Sequence, residues 1–301
     1  MIVVGDRKTP VNWACPGVTF ISDHEQEKDR GRLARALPWN HYSRKMLGYA
    51  CAIGAGASII VDADDDNLPK PGWGFPPFDG TFDATADELG FVNVYSLFTD
   101  QRIWPRGFPL RRVNDPAGKL TRQQLTPAAC RVGIWQALAD GDPDVDAIYR
   151  LTDNQPCTFN PADPLVLGRG TLTPFNSQNT AFRKELFPLL YLPVTVSFRF
   201  TDILRSLVAQ PVAWLAGFRV GITSATVVQE RNPHDYLKDF ESEIPCYVHT
   251  ERVAQIVQAT VSPHQHVVEN LTAAYSELVN AGIVLPTEMD VLKAWIDLSC
   301  P

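Results

Sequence analysis

The chain has 301 residues, 45% of them hydrophobic and 20% charged, with a net charge of −7. This is ordinary globular composition: it excludes disorder and allows one large domain or two. The acidic balance argues against nucleic acid as the main partner, which usually needs a basic face, but not against a phosphate ligand whose charge a local metal offsets.

No apolar run approaches the ~18 residues of a membrane-spanning helix. The start, Met1-Ile2-Val3-Val4-Gly5-Asp6, lacks the basic end and long apolar stretch of a signal peptide. The six cysteines are scattered and form no CxxC pair. The expectation is a cytoplasmic protein with reduced thiols and no integral membrane segment.

In chain order, residues 1–5 read as a buried strand, 23–37 as charged and helical, and 40–55 as a helix capped by Asn40. In that helix Leu47, Ala50, Cys51 and Gly54 keep the spacing of a buried face. Residues 58–61 follow as a second buried strand, so the order is α/β, with ligands expected beyond the carboxyl ends of strands. Pro and Gly crowd 69–80, a surface loop whose Trp73, Phe75 and Phe78 suit either a lid or an anchor. Phe91–Leu97 reads as a strand. Thr126-Pro127 reads as a helix start, with the helix ending at Leu138-Ala139-Asp140-Gly141. Ile148–Leu151 and Leu165–Leu167 read as short strands, Asp202–Trp214 as a helix bent at Pro211 and stopped by Gly217, and Phe218–Ile222 as a strand. Helices are expected over 249–259, 266–281 and 287–298, giving a main domain over 1–246 and a helical extension over 247–301.

The most informative run is Ser58-Ile59-Ile60-Val61-Asp62-Ala63-Asp64-Asp65-Asp66-Asn67. Carboxylates this close repel one another, and a hard divalent cation reverses that cost by taking their oxygens. Asp62-x-Asp64 or Asp64-x-Asp66 has the spacing of a DxD metal motif; a solvated acidic turn is the alternative.

Four ordered blocks resemble the plant STELLO proteins. They are Arg44 to Tyr49 leading into Ile60 to Asp65; Gln101 to Leu110, containing Trp104-Pro105-Arg106-Gly107; Asn176 to Thr180; and Leu192 to Val196 through Thr201 to Arg205. The tail, through Ala281-Gly282 and Lys293 to Leu298, resembles the same family. That family is in turn similar to the plant reversibly glycosylated polypeptides, which are UDP-arabinopyranose mutases. The resemblance implies a GT-A-like, Rossmann-like glycosyltransferase domain. It also implies a UDP-linked nucleotide-sugar donor, Mn²⁺ or Mg²⁺, and a glycan or other hydroxyl acceptor. The STELLO pattern keeps the equivalents of Asp62, Asp64 and Asp65, whereas the mutases keep those of Asp64, Asp65 and Asp66.

Asp64 and Asp66 are the expected metal ligands. Donor binding is assigned to Gly5, Asp6 and Lys8 past the first strand, to Asp62 and Asp65, and to Arg44, Lys45 and Arg205. Arg44 and Lys45 are cations in a helix's first turns, where the dipole disfavours them; a diphosphate or the acidic run supplies the compensating charge. Asn176, Gln178 and Asn179 carry amides that read sugar hydroxyls, or serve as scaffolding. Arg106, permanently charged and forked, either faces the donor, pairs with an acid, or is the glycosylated arginine of a mutase. Asp202, at a helix start with Arg205 one turn on, is the candidate general base or donor-sugar ligand. His264-x-His266 reads as a surface helix start. A mutase working through Arg106 and a scaffold without chemistry are the rival functions.

Overall fold

The computed structural model describes residues 1–10, 12–28, 31–115, 120–230 and 234–300. Two short parallel strands open the chain, β1 (Ile2–Val4) and β2 (Thr19–Ile21), followed by α1 (Asp23–Lys28) and α2 (Arg32–Ala36). Asn40 has a positive φ of 52° and does not cap the next helix. His41 caps a 3-10 turn, Tyr42–Arg44, which runs into α3 (Lys45–Gly54).

The main sheet has seven strands and mixed directions. It contains β3 (Ile59–Ala63), β4 (Asn67–Pro69) and β5 (Asp79–Ala84). Outside it, β6 (Gly90–Phe91) pairs in parallel with a later strand, and the rest of the expected 91–97 strand is a 3-10 turn, Val94–Leu97. The side chain of Asn93 accepts from Tyr95 N and starts that turn.

The largest correction is β7 (Thr126–Gly141), a sixteen-residue strand where the sequence suggested a helix. Its Ala, Gln and Leu favour helix, but both faces of its second half are buried, and a strand buried on two faces reads as one continuous apolar run. Ile134 and Leu138 enter the main core, while Trp135 joins a smaller cluster with Ala84, Val166 and Ala181. Trp135 lies over Gly221, where any Cβ would sit 2.2 Å from its ring. The expected 148–151 strand is instead α4 (Ala147–Thr152), because Asp146 Oδ1 accepts from Tyr149 N at 3.0 Å and caps it.

Next come β8 (Leu165–Val166), β9 (Thr171–Leu172), which partners β6, and β10 (Asn179–Arg183). The nearly wholly buried α5 (Thr201–Leu215) precedes β11 (Arg219–Gln229). β7 lies between antiparallel β10 and parallel β11, and β3 pairs antiparallel with β10 at the sheet's end. β3 is half-buried rather than fully so: Ile60 and Asp62 point inward while Ile59 and Val61 are exposed. In the 69–80 loop, Phe75 and Phe78 pack on the smaller cluster, so these two rings anchor the loop.

The last helices are α6 (Tyr236–Thr260), α7 (Val267–Asn280) and α8 (Glu288–Ser299). The expected boundary at 246/247 falls inside α6. Moreover, α6 and α7 pack on α5, and α8 packs on α2 and α3. Tyr275, Leu278 and Trp295 belong to the same core as the sheet and α5. These helices pack on the main body and share its core. The His264–His266 pair stands before α7, where His266 takes the N-cap position. Among the described residues no helix is long and apolar enough to cross a membrane.

Candidate functional site

A cleft of about 630 Å³ opens beyond the carboxyl end of β1. It brings together six of the sequence-predicted residues: Gly5, Asp6, Lys8, Arg44, Lys45 and Asp65. They come from the end of β1, the start of α3 and the turn after β3, so the acidic run and the two cations meet as the α/β order implies.

Arg44 is 3% exposed, with its guanidinium 3.6 Å from the centroid of the Trp39 ring. Its Nε donates to Gln26 Oε1 at 2.7 Å and its Nη1 to Leu37 O at 2.9 Å, while Nη2 has no hydrogen-bond partner. A buried N–H left unpaired is expensive, and this one belongs to a residue lining the cleft.

Lys45 answers the acidic run directly. Its Nζ donates to Asp62 Oδ1 at 2.9 Å and to Asp64 Oδ1 at 2.7 Å. Burial alone would lower its pKa, but the two carboxylates override that and hold it above the ordinary lysine value. Asp62, 2% exposed, also accepts from Arg205 Nη1 at 3.1 Å. Burial would raise its pKa, yet Lys45 and Arg205 together lower it. Asp64 further accepts from the Tyr42 hydroxyl at 2.8 Å, and here burial prevails and raises the pKa.

The four acids therefore separate. Asp62 and Asp64 face Lys45, Asp65 lines the cleft, and Asp66 Oδ2 accepts from Gln229 Nε2 at 3.0 Å. Among the described residues no group of three or more His, Cys, Asp or Glu side chains converges as a metal site. Asp64 and Asp66 do not stand as one chelating pair, because Lys45 and Tyr42 hold the former. Two oxygens nevertheless remain buried and unpartnered side by side in sequence, Asp66 Oδ1 and Asn67 Oδ1. These are the hard donors that a divalent cation takes.

The remaining predicted residues sit deeper. Arg205 pairs with Asp62 and with Asn176 O, not with Asp202 as the one-turn spacing suggested. Asp202 instead belongs to Arg106, whose Nη2 reaches both of its oxygens at 3.0 Å. Asp202 also accepts from Ser177 N and Ile203 N, and it is 3% exposed. Held this way, it does not face the cleft as a base for an acceptor hydroxyl. Arg106 is equally committed: Nε and Nη2 fork onto Asp144 at 2.8 and 2.7 Å, and Nη1 donates to Arg199 O. It is neither a surface arginine nor a free one. Beyond it, Arg199 binds Glu243 of α6 at 2.6 Å, so a buried chain of alternating charges ties the start of α5 to α6.

The amide cluster serves as scaffold. Asn176 Oδ1 accepts from Gln178 N, Gln178 Nε2 donates to Gln229 Oε1, and Asn179 bridges Trp73 and Thr226. All three are buried, and none lines the cleft. Conversely, His41, Tyr42, Phe198 and His234 line the cleft and were not singled out in the sequence. The only local hint was the aromatic stretch Trp39-Asn40-His41-Tyr42 just ahead of Arg44.

Fold and site together give a mixed α/β protein with a cleft at a strand end, lined by Lys8, Arg44 and Lys45 together with Asp6 and Asp65, and backed by buried ion pairs. The family described as STELLO glycosyltransferases matches residues 199–298. Two Arabidopsis thaliana proteins match almost throughout: "Probable glycosyltransferase STELLO2", 27% identical over 98% of this chain, and "Probable glycosyltransferase STELLO1", 26% identical over 98%. The chain is STELLO-like. It spans about two fifths of the length of these relatives, 41% and 40%.

Proposed function

We propose that this chain is a glycosyltransferase that moves a sugar from a UDP-linked donor to a glycan or other hydroxyl acceptor, on a GT-A-like frame. The observation that carries the reading is the cation-lined wall of the cleft, on which Arg44 stands as a buried guanidinium whose Nη2 is unpartnered and shielded from solvent. Lys8 stands on the same wall, exposed, and the names of the two relatives point the same way. Charge-assisted N–H···O bonds to a diphosphate are what such a wall supplies.

In this reading Arg44 and Lys8 hold the diphosphate, and Gly5, where a Cβ would meet the Phe20 ring at 2.8 Å, lines the cleft beside them. Lys45 holds Asp62 and Asp64 in place, and with Arg205 it favours the ionised form of Asp62. Arg106 and Asp202 act on position: Asp202 anchors Ser177 N and the first turn of α5, and Arg106 fixes Asp202. A divalent cation, Mn²⁺ or Mg²⁺, is part of the proposal, with Asp65, which lines the cleft, as the carboxylate that would face it beside the diphosphate. When bound it supplies positive charge against the charge that develops on the leaving diphosphate.

A mutase working through a glycosylated Arg106 finds less support. All three nitrogens of that guanidinium are bonded and the residue is 5% exposed. The test is calorimetry with UDP, with and without Mn²⁺, alongside intact-mass spectra after incubation with UDP-sugars. The transferase reading expects metal-enhanced UDP binding and no sugar adduct. No UDP binding in either condition refutes it, and a one-sugar adduct on the Arg106 peptide turns the case to a mutase.

A further inference from the structure

His41 and Phe198 also line the cleft, and with the histidine in its neutral form neither brings a charged side chain to it. His41 Nδ1 receives the backbone N–H of Ser43 at 3.2 Å and lies 2.8 Å from Ser43 Oγ. A backbone N–H can only donate, so Nδ1 must present its lone pair, and the neutral ring then carries its proton on Nε2. Burial also favours the neutral ring, lowering its pKa against the opposing pull of Asp6. Among the described residues Nε2 has no hydrogen-bond partner, so the ring offers the cleft one uncharged N–H donor.

Beside it stands Phe198, 50% exposed although it packs edge-on against Tyr42 at 5.4 Å and His41 at 6.2 Å between centroids. Its ring is held in place by these contacts while half of it stays in water. An apolar face next to a neutral donor is poor chemistry for a diphosphate, which the cationic wall serves better. It is good chemistry for a sugar ring, which carries hydroxyl oxygens at its edge and C–H groups on its face.

We propose that His41 and Phe198 form a neutral subsite for a sugar ring, with His41 Nε2–H donating to a ring hydroxyl and Phe198 covering the C–H face. The proposal rests on the nucleotide-sugar reading above. The ring belongs either to the donor or to the end of an acceptor glycan, and the arms of one experiment separate the two.

His41→Asn keeps an N-cap acceptor and removes the Nε2 donor; Phe198→Ala removes the face. Calorimetry would compare UDP, UDP-glucose and UDP-galactose on each protein, and then methyl glucoside and methyl galactoside on the UDP-loaded proteins. Each variant is expected to bind UDP like wild type and to lose about tenfold in affinity for a sugar-bearing probe, the worth of one good hydrogen bond or contact. A loss on the UDP-sugars assigns the donor ring; a loss on the methyl glycosides assigns the acceptor ring. Variants that bind every probe like wild type, or that lose UDP and sugar probes alike, overturn the subsite. So does a wild type that gains nothing from any sugar. Long-range ¹H–¹⁵N NMR of the ligand-free protein tests the His41 premise separately. Nε2 should carry the proton, and a ring protonated at Nδ1 overturns the assignment whatever UDP does. Wild-type protein that shows the expected tautomer yet binds no UDP marks the failure of the donor reading itself.

Discussion

Asp62→Asn is expected to act on stability before it acts on a ligand. The Asp62 and Arg205 side chains are each 1% exposed and meet at 3.1 Å, and Lys45 lies 2.9 Å from the other carboxylate oxygen. Neutralising Asp62 leaves Arg205 as a buried cation with only Asn176 O on its Nη2. Lys45 fares better, since it keeps Asp64 at 2.7 Å. Breaking one side of a buried pair costs ~3–5 kcal/mol, and because one of the two cations stays paired the expected loss is ~3 kcal/mol. At ~2–4 °C per kcal/mol for a large domain, the melting temperature should fall by roughly 6–12 °C. Removing the cation as well, in Asp62→Asn with Arg205→Met, should restore most of the stability, since replacing a whole buried pair by apolar packing is often neutral. Equilibrium urea denaturation of the two single variants and the double variant gives the coupling energy. If Asp62→Asn unfolds like wild type but loses UDP binding, Asp62 is a ligand-facing acid and the counter-ion argument fails. Additive losses in the double variant would refute the pairing.

Three further outcomes follow from the same geometry. Lys8→Ala, at an exposed position on the cleft wall, should weaken UDP binding about three- to tenfold with stability changed by less than ~0.5 kcal/mol, and the affinity difference should shrink at high salt; an unchanged affinity removes Lys8 from the site. Glu288, fully buried, accepts from Val194 N, Thr195 N, Thr195 Oγ1 and the Tyr191 hydroxyl. Glu288→Gln turns an amide N–H₂ toward these donors and should cost ~2–4 kcal/mol, read as faster hydrogen exchange at 192–196; unaltered exchange there would show that α8 does not hold this segment. Asp146 is raised by burial to about 6 from 3.8. The folded protein therefore holds this proton more tightly than the unfolded chain. Its contribution is full below about pH 4 and is lost as pH rises through about 6, by up to ~3 kcal/mol. Asp146→Asn should flatten the stability profile between those limits, and a profile identical to wild type would place the titration elsewhere.

The division between sequence and structure follows the range of the forces. Short-range signals were readable. The acidic run after an aliphatic strand, the cations at the start of a helix, and the order of strand, helix and strand placed Gly5, Asp6, Lys8, Arg44, Lys45 and Asp65 in one region. The structure puts all six on one cleft, because a chain direction and a strand end locate them without any knowledge of partners. Start and stop signals likewise announced α5, and amphipathic spacing announced α7 and α8.

What failed was whatever depends on contacts distant in the chain. Residues 126–141 have helical propensity but form a strand, since β5, β10 and β11 supply hydrogen bonds that no local window contains. Arg205 stands one turn from Asp202 yet pairs with Asp62, 143 residues away, while Asp202 takes Arg106, 96 residues away. Charged groups removed from water accept whichever counter-ion the packed fold brings within about 3 Å, and sequence spacing has no control over that choice. The sequence by itself therefore determined which elements carry the candidate chemistry and at which end of the fold it lies. Only the tertiary structure decided which acids are counter-ions, which amides are scaffold, and that His41 and Phe198 stand on the wall of the cleft.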